Sequence, residues 1–213
     1  MVSPRANKRW TARDGAGGQV ASAGVPHMKR LLDFAVCAVL LLLLWPIFLI
    51  VAGAIRLDSR GGAIFRQLRV GRNGQRFTCY KFRTMASDTG DLPTHQVSAA
   101  KVTRLGYHMR RFKIDELPQA FNVLAGDMSL VGPRPCLPSQ VELVEARRKL
   151  GVLDVRPGIT GLAQVRGVDM SNPDRLAELD AQYVKSQSFV GDLGLLWATL
   201  RGQGVGVDQI VKT

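Results

Sequence analysis

Histidine and cysteine are scarce in this chain, and their scarcity narrows the chemistry open to it. The histidines are His27, His95 and His108, and they show no metal-ligand spacing. The cysteines, Cys37, Cys79 and Cys136, are odd in number and far apart, with no CxxC pair. Structural zinc and a disulfide framework are not expected, and a reducing, cytosolic setting is the simpler reading. The chain has no G-x-S-x-G, no Walker A loop and no Rossmann glycine pattern. No internal repeat is visible. Acidic residues are also few: 17 Asp and Glu face 29 Lys and Arg, for a net charge of +12. A chain with a pI near 10.4 seeks anionic partners. Nucleic acid, anionic lipid and phosphorylated small molecules all qualify, and charge alone does not choose among them. At 213 residues the chain suits one domain with an anchor and a tail, and it can bury a core without staples.

What the chain does have is one long apolar run. Phe34 to Ile55 is 22 residues without a charge. As a helix it would reach roughly 33 Å, near the thickness of a bilayer core. A soluble core helix is rarely apolar on every face at that length, so this segment meets lipid. Three topologies compete. A cleaved signal peptide would have the basic start (Lys29, Arg30) and an Ala52-Gly53-Ala54 end, but its apolar core should be shorter. A plain spanning helix is the default. Two features oppose it: Pro46 sits mid-segment, and both flanks are basic, with Arg56, Arg60, Arg66, Arg69 and Arg72 following. A kinked helix that enters and leaves by one face satisfies both, and on these residues alone it stands level with the spanning helix.

Residues 1–27, rich in Gly, Ala and Arg, are read as a disordered basic tail, with a bound basic arm as the alternative. Residues 28–57 are the membrane segment and 58–213 the folded domain that follows it. In that domain Ala63–Val70 and Gln75–Arg83 flank Asn73-Gly74, a two-residue hairpin signal. Phe77, Cys79, Lys81 and Arg83 would share one face of the second strand. Residues 86–103 read as a loop. Leu117, Phe121 and Leu124 recur at helical spacing behind Pro118. Ser139 and Glu142 form a capping box for a helix over Gln140–Leu150 that stops at Gly151. Its cations, Arg147, Arg148 and Lys149, are read as solvated. Asn172 and Pro173 start a helix running to about Ser186, with Leu176, Leu179 and Tyr183 on its apolar face. The cluster from Leu193 to Leu200 is either core, the favoured reading, or an interfacial helix. The fold class is α+β and mostly helical, with a β-hairpin in a small cytosolic domain.

With metal and triad options poor, the chemistry rests on carboxylates and cations. Asp115-Glu116 follows the basic run Arg104, Arg110, Arg111 and Lys113 and opens the helix through Pro118. A helix start favours anions, so the pair could be a mere cap; the surrounding cations argue that it shares its place with a diphosphate. Lys81 and Arg83 could grip phosphate or sit on a solvated edge. Arg134, between two prolines, is a pre-positioned cation suited to two-point phosphate contact.

Three strings are similar to the signature blocks of bacterial sugar transferases: KFRTM (Lys81–Met85), DELPQAFNVLAGDMSLVGPRP (Asp115–Pro135) and RPGITGLAQVRG (Arg156–Gly167). Asp180, Tyr183, Val184, Ser188, Asp192 and Thr199 match a fourth. The chain resembles the small, monotopic phosphoglycosyl transferases over roughly residues 28–200. That resemblance implies a re-entrant helix broken near Pro46, in the bacterial inner membrane, and a catalytic domain with interfacial helices on the cytosolic face. It implies transfer of a phosphosugar from a UDP-sugar to undecaprenyl phosphate, with UMP released, as the first membrane step of exopolysaccharide or glycoconjugate assembly. Asp115 would be the nucleophile and a ligand of Mg²⁺, with Glu116 assisting the acceptor or the metal. Lys81, Arg110 and Arg134 match phosphate-binding positions, Arg83 lies in the same block as Lys81, and Arg156, Gln164 and Arg166 would line the nucleotide site. Two departures are Ile114, where many members have Ser or Thr, and Trp45, where many have Ser. The rival outside catalysis is a basic membrane-surface adaptor for nucleic acid or a partner protein; for the enzyme, no nucleic acid is expected. The sugar, the final glycan and the oligomeric state are left open.

Overall fold

The structure, a computed structural model, describes residues 25–59, 61–85 and 102–202. The tail up to residue 24 and nearly all of the loop expected over 86–103 lie outside the described residues. Helix α1 (Val25–Asp58) is followed by strands β1 (Ile64–Val70) and β2 (Arg76–Phe82). Then come α2 (Arg104–Arg111), α3 (Gln119–Ala125), β3 (Ser129–Val131), α4 (Val141–Lys149), β4 (Gly158–Thr160), α5 (Leu162–Val165), α6 (Pro173–Lys185) and α7 (Phe189–Leu200). The domain is thus mostly helical, with two small sheets.

Helix α1 has 34 residues and runs through Pro46. By length and composition it can cross a membrane. It also packs lengthwise on the domain. Cys37, Leu40 and Leu41 join a core with Val123, Met128 and Val131; Phe48, Val51, Ala52 and Ile55 join another with Phe82 and Met109. These positions recur every three or four residues, which is one helical face. The first turns are stapled by charge. Lys29 Nζ pairs with Asp192 Oδ2 at 2.5 Å and donates to the Val131 carbonyl at 3.0 Å. Arg30 Nη1 donates to the Val123 carbonyl at 2.6 Å. Asp33 accepts from Ser129 Oγ and from the Leu130 amide. Leu42, Leu43, Ile47, Leu49 and Ile50 remain exposed on the outer face.

The hairpin pairs Ile64 with Phe82 and Val70 with Arg76, so its loop is five residues, not two. Asn73 and Gly74 do take positive φ, as their chemistry favours. Arg72, however, is drawn out to donate to the Asp154 carbonyl at 2.9 Å, and residues Arg72–Gly74 coil into a 3₁₀ turn. The capping box does not form: α4 starts after Gln140, whose Oε1 accepts from the Leu137 amide instead. Gly151 does stop the helix, with φ of 72°. Asn172 caps α6 through the Arg175 amide, and Leu176, Leu179 and Tyr183 are buried. In α3 the buried face is Gln119, Ala120, Asn122 and Val123, while Phe121 turns outward to Phe48 of α1. Core was the favoured place for the last apolar cluster, and that is corrected. Only Asp192 of α7 is buried; Leu195 and Leu196 touch the core, but Val190, Leu193, Trp197 and Leu200 are exposed.

The parallel pair β3–β4 joins two glycine-rich motifs back to back, with Ser129 opposite Gly158 and Val131 opposite Thr160. A Cβ on Gly158 would stand 2.1 Å from the Gly132 amide nitrogen, and one on Gly161 2.2 Å from the Gly132 carbonyl oxygen. The backbones touch where the glycines are. Gly158→Ala should therefore cost about 2–3 kcal/mol by overpacking, read as a fall in the unfolding midpoint; an unchanged midpoint would contradict the close approach.

Candidate active site

Helix α2 begins on Thr103, whose hydroxyl accepts from the Gly106 amide. Gly106 lets α2 press on Thr84 at the end of the KFRTM block: a Cβ there would sit 2.1 Å from the Thr84 carbonyl oxygen. Arg110 Nε donates to Thr84 Oγ1 at 2.9 Å. Beyond α2 the chain turns on Lys113, held at φ 55°. That left-handed residue, uncommon outside glycine, feeds a 3₁₀ turn of Ile114, Asp115 and Glu116. Pro118 then opens α3. Asn122 ties α3 to the hairpin: its Nδ2 donates to the Thr78 carbonyl at 2.7 Å and its Oδ1 accepts from the Tyr80 amide at 3.0 Å. The lock sets the register of Lys81 against the dyad.

Two cations converge on one carboxylate oxygen. Lys81 Nζ lies 3.0 Å from Glu116 Oε1 and Arg134 Nη2 lies 2.6 Å from the same atom. Burial works against the Glu116 charge, yet Arg134 and Lys81 hold its carboxyl well below the usual carboxylate range. Asp115 is treated differently. Burial first, and the Glu116 charge second, push it up to about 6, with Lys81, Arg110 and Arg134 pulling the other way. Among the described residues no side chain hydrogen-bonds to the Asp115 carboxylate. Two adjacent carboxylates thus stand in unlike environments: one is locked in ion pairs, the other is unengaged beside three cations. Such asymmetry is the mark of divided chemical roles.

The structure brings together Asp115, Glu116, Lys81, Arg110 and Arg134. It places the other expected site residues elsewhere. The Arg83 guanidinium lies against Gly61, where a Cβ would stand 2.1 Å from Nη1. Arg156 Nε donates to the Gly126 carbonyl at the far, C-terminal end of α3. Gln164 Nε2 donates to the Ile159 carbonyl, leaving its Oε1 buried without a partner. Arg166 pairs with Gln182 on an exposed face.

Two buried cations escaped the reading of the sequence. Arg147, expected in solvent, is 2% exposed. Its spacing of four from buried Leu143 was the available signal. Arg69, expected at the membrane flank, is buried beside Gln67 on the inner face of β1, while Leu68 faces out. A strand with polar residues inward and an apolar one outward was the sign that this face serves a site.

The family model described as "Bacterial sugar transferase" matches residues 25–203. The chain belongs to the bacterial sugar transferase family. An undecaprenyl-phosphate glucose phosphotransferase of Komagataeibacter xylinus is 40% identical over 191 residues, covering 81% of this chain and 35% of that protein. An uncharacterized sugar transferase, EpsL, of Bacillus subtilis is 40% identical over 82% of this chain and 86% of its own length. A UDP-glucose:undecaprenyl-phosphate glucose-1-phosphate transferase of Caulobacter vibrioides is 40% identical, over 86% and 72% respectively. The chain therefore spans about a third of the first relative and most of the other two.

The left-handed Lys113 is strained, by about 1–3 kcal/mol for a residue with a Cβ. Lys113→Val should lower stability by about 1–2 kcal/mol relative to Lys113→Gly, since a β-branched chain tolerates positive φ least. Chemical denaturation of the two variants checks this; equal stabilities would refute the strain.

Proposed function

We propose that this chain transfers a phosphosugar from a UDP-sugar to undecaprenyl phosphate and releases UMP. The observation that carries it is the unengaged Asp115 carboxylate set beside a Glu116 neutralised by Lys81 and Arg134. An Asp115 oxygen attacks the sugar-bearing phosphorus; the bond from that phosphorus to the UMP oxygen breaks, and UMP leaves with the electron pair. A phosphosugar joined to Asp115 remains. An oxygen of the polyprenol phosphate then attacks the same phosphorus, and the Asp115 carboxylate is regenerated. Splitting one encounter between two anions into two steps gives each step a single acceptor. Lys81, Arg110 and Arg134 offset phosphate charge that would repel each nucleophile, and Glu116 holds two of them at the site.

Magnesium fits the donors present. Among the described residues no group of three or more His, Cys, Asp or Glu gathers, so these offer no all-protein cage. Asp115, with Glu116 beside it, supplies hard oxygen ligands that suit an ion sharing its shell with phosphate and water. When bound it would offset the charge of the transferring phosphate.

The membrane address supports the same reading. Both ends of α1 pack on one domain: Lys29 and Arg30 at its start, Ile55 near its end. Straight across a bilayer, 34 residues would separate those ends by about 50 Å. We read α1 as entering and leaving by the cytosolic face of the inner membrane, bent near Pro46, with the exposed side of α7 at the interface. The adaptor reading does not account for Lys81, Arg134 and Arg147 being engaged inward, although Arg56, Arg66, Arg72, Arg76, Arg104 and Arg111 are exposed.

Two experiments test this. UMP release from a panel of UDP-sugars, UDP-glucose first, with undecaprenyl phosphate and magnesium, should fall by about 10³-fold or more in Asp115→Asn. UDP as product would mean direct glycosyl transfer, and a fully active variant would dismiss the covalent route. For topology, cysteines placed by Met28→Cys and Leu57→Cys should both react with a membrane-impermeant maleimide in inverted vesicles and neither in intact spheroplasts. Labelling of one from each side would establish a spanning helix.

A further inference from the structure

Arg134 is presented by a segment whose backbone is pinned at every step. Pro133 and Pro135, on either side of it, have no amide hydrogen. The four successive carbonyls from Pro133 to Cys136 each accept a bond from a different residue. The Gly158 amide reaches Pro133 O at 2.9 Å, Arg147 Nη1 reaches Arg134 O at 2.8 Å, Arg69 Nη1 reaches Pro135 O at 2.9 Å, and the Val70 amide reaches Cys136 O at 2.9 Å. Those donors come from β4, α4 and β1. So complete a fixation of a segment without helical or sheet pairing of its own sets where the Arg134 side chain starts, and from there its Nη2 reaches Glu116 Oε1 at 2.6 Å.

Of the four donors, Arg147 is the costly one. It comes from α4 with its guanidinium buried, and it needs a second buried charge: Asp180 Oδ2 on α6 accepts from Nε at 2.9 Å and from Nη2 at 2.6 Å. Both residues are 2% exposed, in a core built of Cys136, Leu143, Leu176 and Leu179. Burial pushes the Asp180 carboxyl up even against the pull of Arg147. A buried ion pair generally does no better than apolar side chains of the same volume. The third guanidinium nitrogen is the part that apolar side chains could not replace, and it goes to the backbone of the residue that grips the dyad.

We propose that Arg147, held by Asp180, is a positioning residue for phosphosugar transfer: it fixes the Arg134 backbone so that the guanidinium is set against Glu116 before substrate arrives. This inference rests on the reaction proposed above. It gives the fourth sequence block, 65 residues beyond the dyad at Asp180, a route to the chemistry through α4 that needs no contact with substrate.

The test removes the pair while keeping the core filled. In Arg147→Met/Asp180→Leu the apolar pair should keep the unfolding midpoint near that of the parent. UMP release should nonetheless fall by roughly 10- to 100-fold, the scale of a misplaced catalytic group. The decisive arm is the Arg134→Ala background, in which the same double change should have little further effect, because its route is already cut. A loss that multiplies there as it does in the parent would make the pair merely structural and overturn the inference. So would a folded double variant with parental turnover. A parent that releases no UMP from any UDP-sugar would count against the reaction and leave one arm to decide the positioning claim. In a structure of the double variant in lipid nanodiscs the Arg134–Glu116 contact should open, and its persistence would overturn the inference.

Discussion

The meeting of Lys81 and Arg134 on one oxygen of Glu116 is the constraint around which the catalytic domain is arranged. A carboxylate so enclosed is expensive to bury, and removing either cation from such a pair costs about 3–5 kcal/mol elsewhere. The cost is met only if both cations arrive with good geometry. Lys81 comes from a hairpin strand, Arg134 from a proline-bound loop and Glu116 from a 3₁₀ turn, so three unrelated pieces of backbone must hold register. The Asn122 lock on β2, the left-handed Lys113 and the pinned carbonyls from Pro133 to Cys136 each serve one of those pieces. Glu116 is ordered so thoroughly that Asp115, one residue away, can be left unengaged.

This division explains how neighbouring carboxylates of like chemistry acquire unlike behaviour. Both are desolvated, and desolvation alone would raise both. The cations are distributed unequally: Lys81 and Arg134 are bonded to Glu116, whereas Arg110 acts on Asp115 through its charge alone and spends its Nε on Thr84. The charge on Glu116 then falls on Asp115 as repulsion. In the reaction proposed above, a nucleophile at Asp115 would benefit from that arrangement, because attack on phosphorus would spread its charge into a site already rich in cations.

The grouping of Asp115, Glu116 and Arg134 was legible because motifs mark them: the acidic pair after a basic run and the cation between prolines meet in one cluster, as their strings suggested. Helix ends set by local chemistry, such as Asn172-Pro173 and Gly151, were legible for the same reason. What was hidden depends on distant partners. Arg147 and Lys149 look alike in the chain, yet only the first meets Asp180 across 33 residues. The Asn73-Gly74 turn was right in its dihedrals and wrong in its length, because Arg72 found a carbonyl 82 residues away. The β3–β4 pair is three residues a side, too short for any periodicity, and its evidence lay in the glycines that let two backbones touch. Arg156, Gln164 and Arg166 share a motif with those glycines, and the structure gives the three side chains backbone- and surface-holding work away from the dyad.

The membrane helix belongs to the same economy of charge. Arg30 and Arg156 both donate to carbonyls at the C-terminal end of α3, where cations complement the helix dipole, while the dyad lies at its N-terminal end. Helix α3 therefore joins the anchor to the chemistry in seven residues, its one end gripped by α1 and its other end carrying the carboxylates. Phe121 completes the link by turning its ring to Phe48 at 6.0 Å, an outward aromatic that a soluble helix would bury and that here meets the anchor. The acceptor proposed above would keep its polyprenyl chain in lipid and would need its phosphate held at the depth where the bilayer ends. In the proposed reaction, a dyad fixed to the anchor by one short helix would keep a constant distance from that boundary, and its depth would not depend on the mobility of a linker.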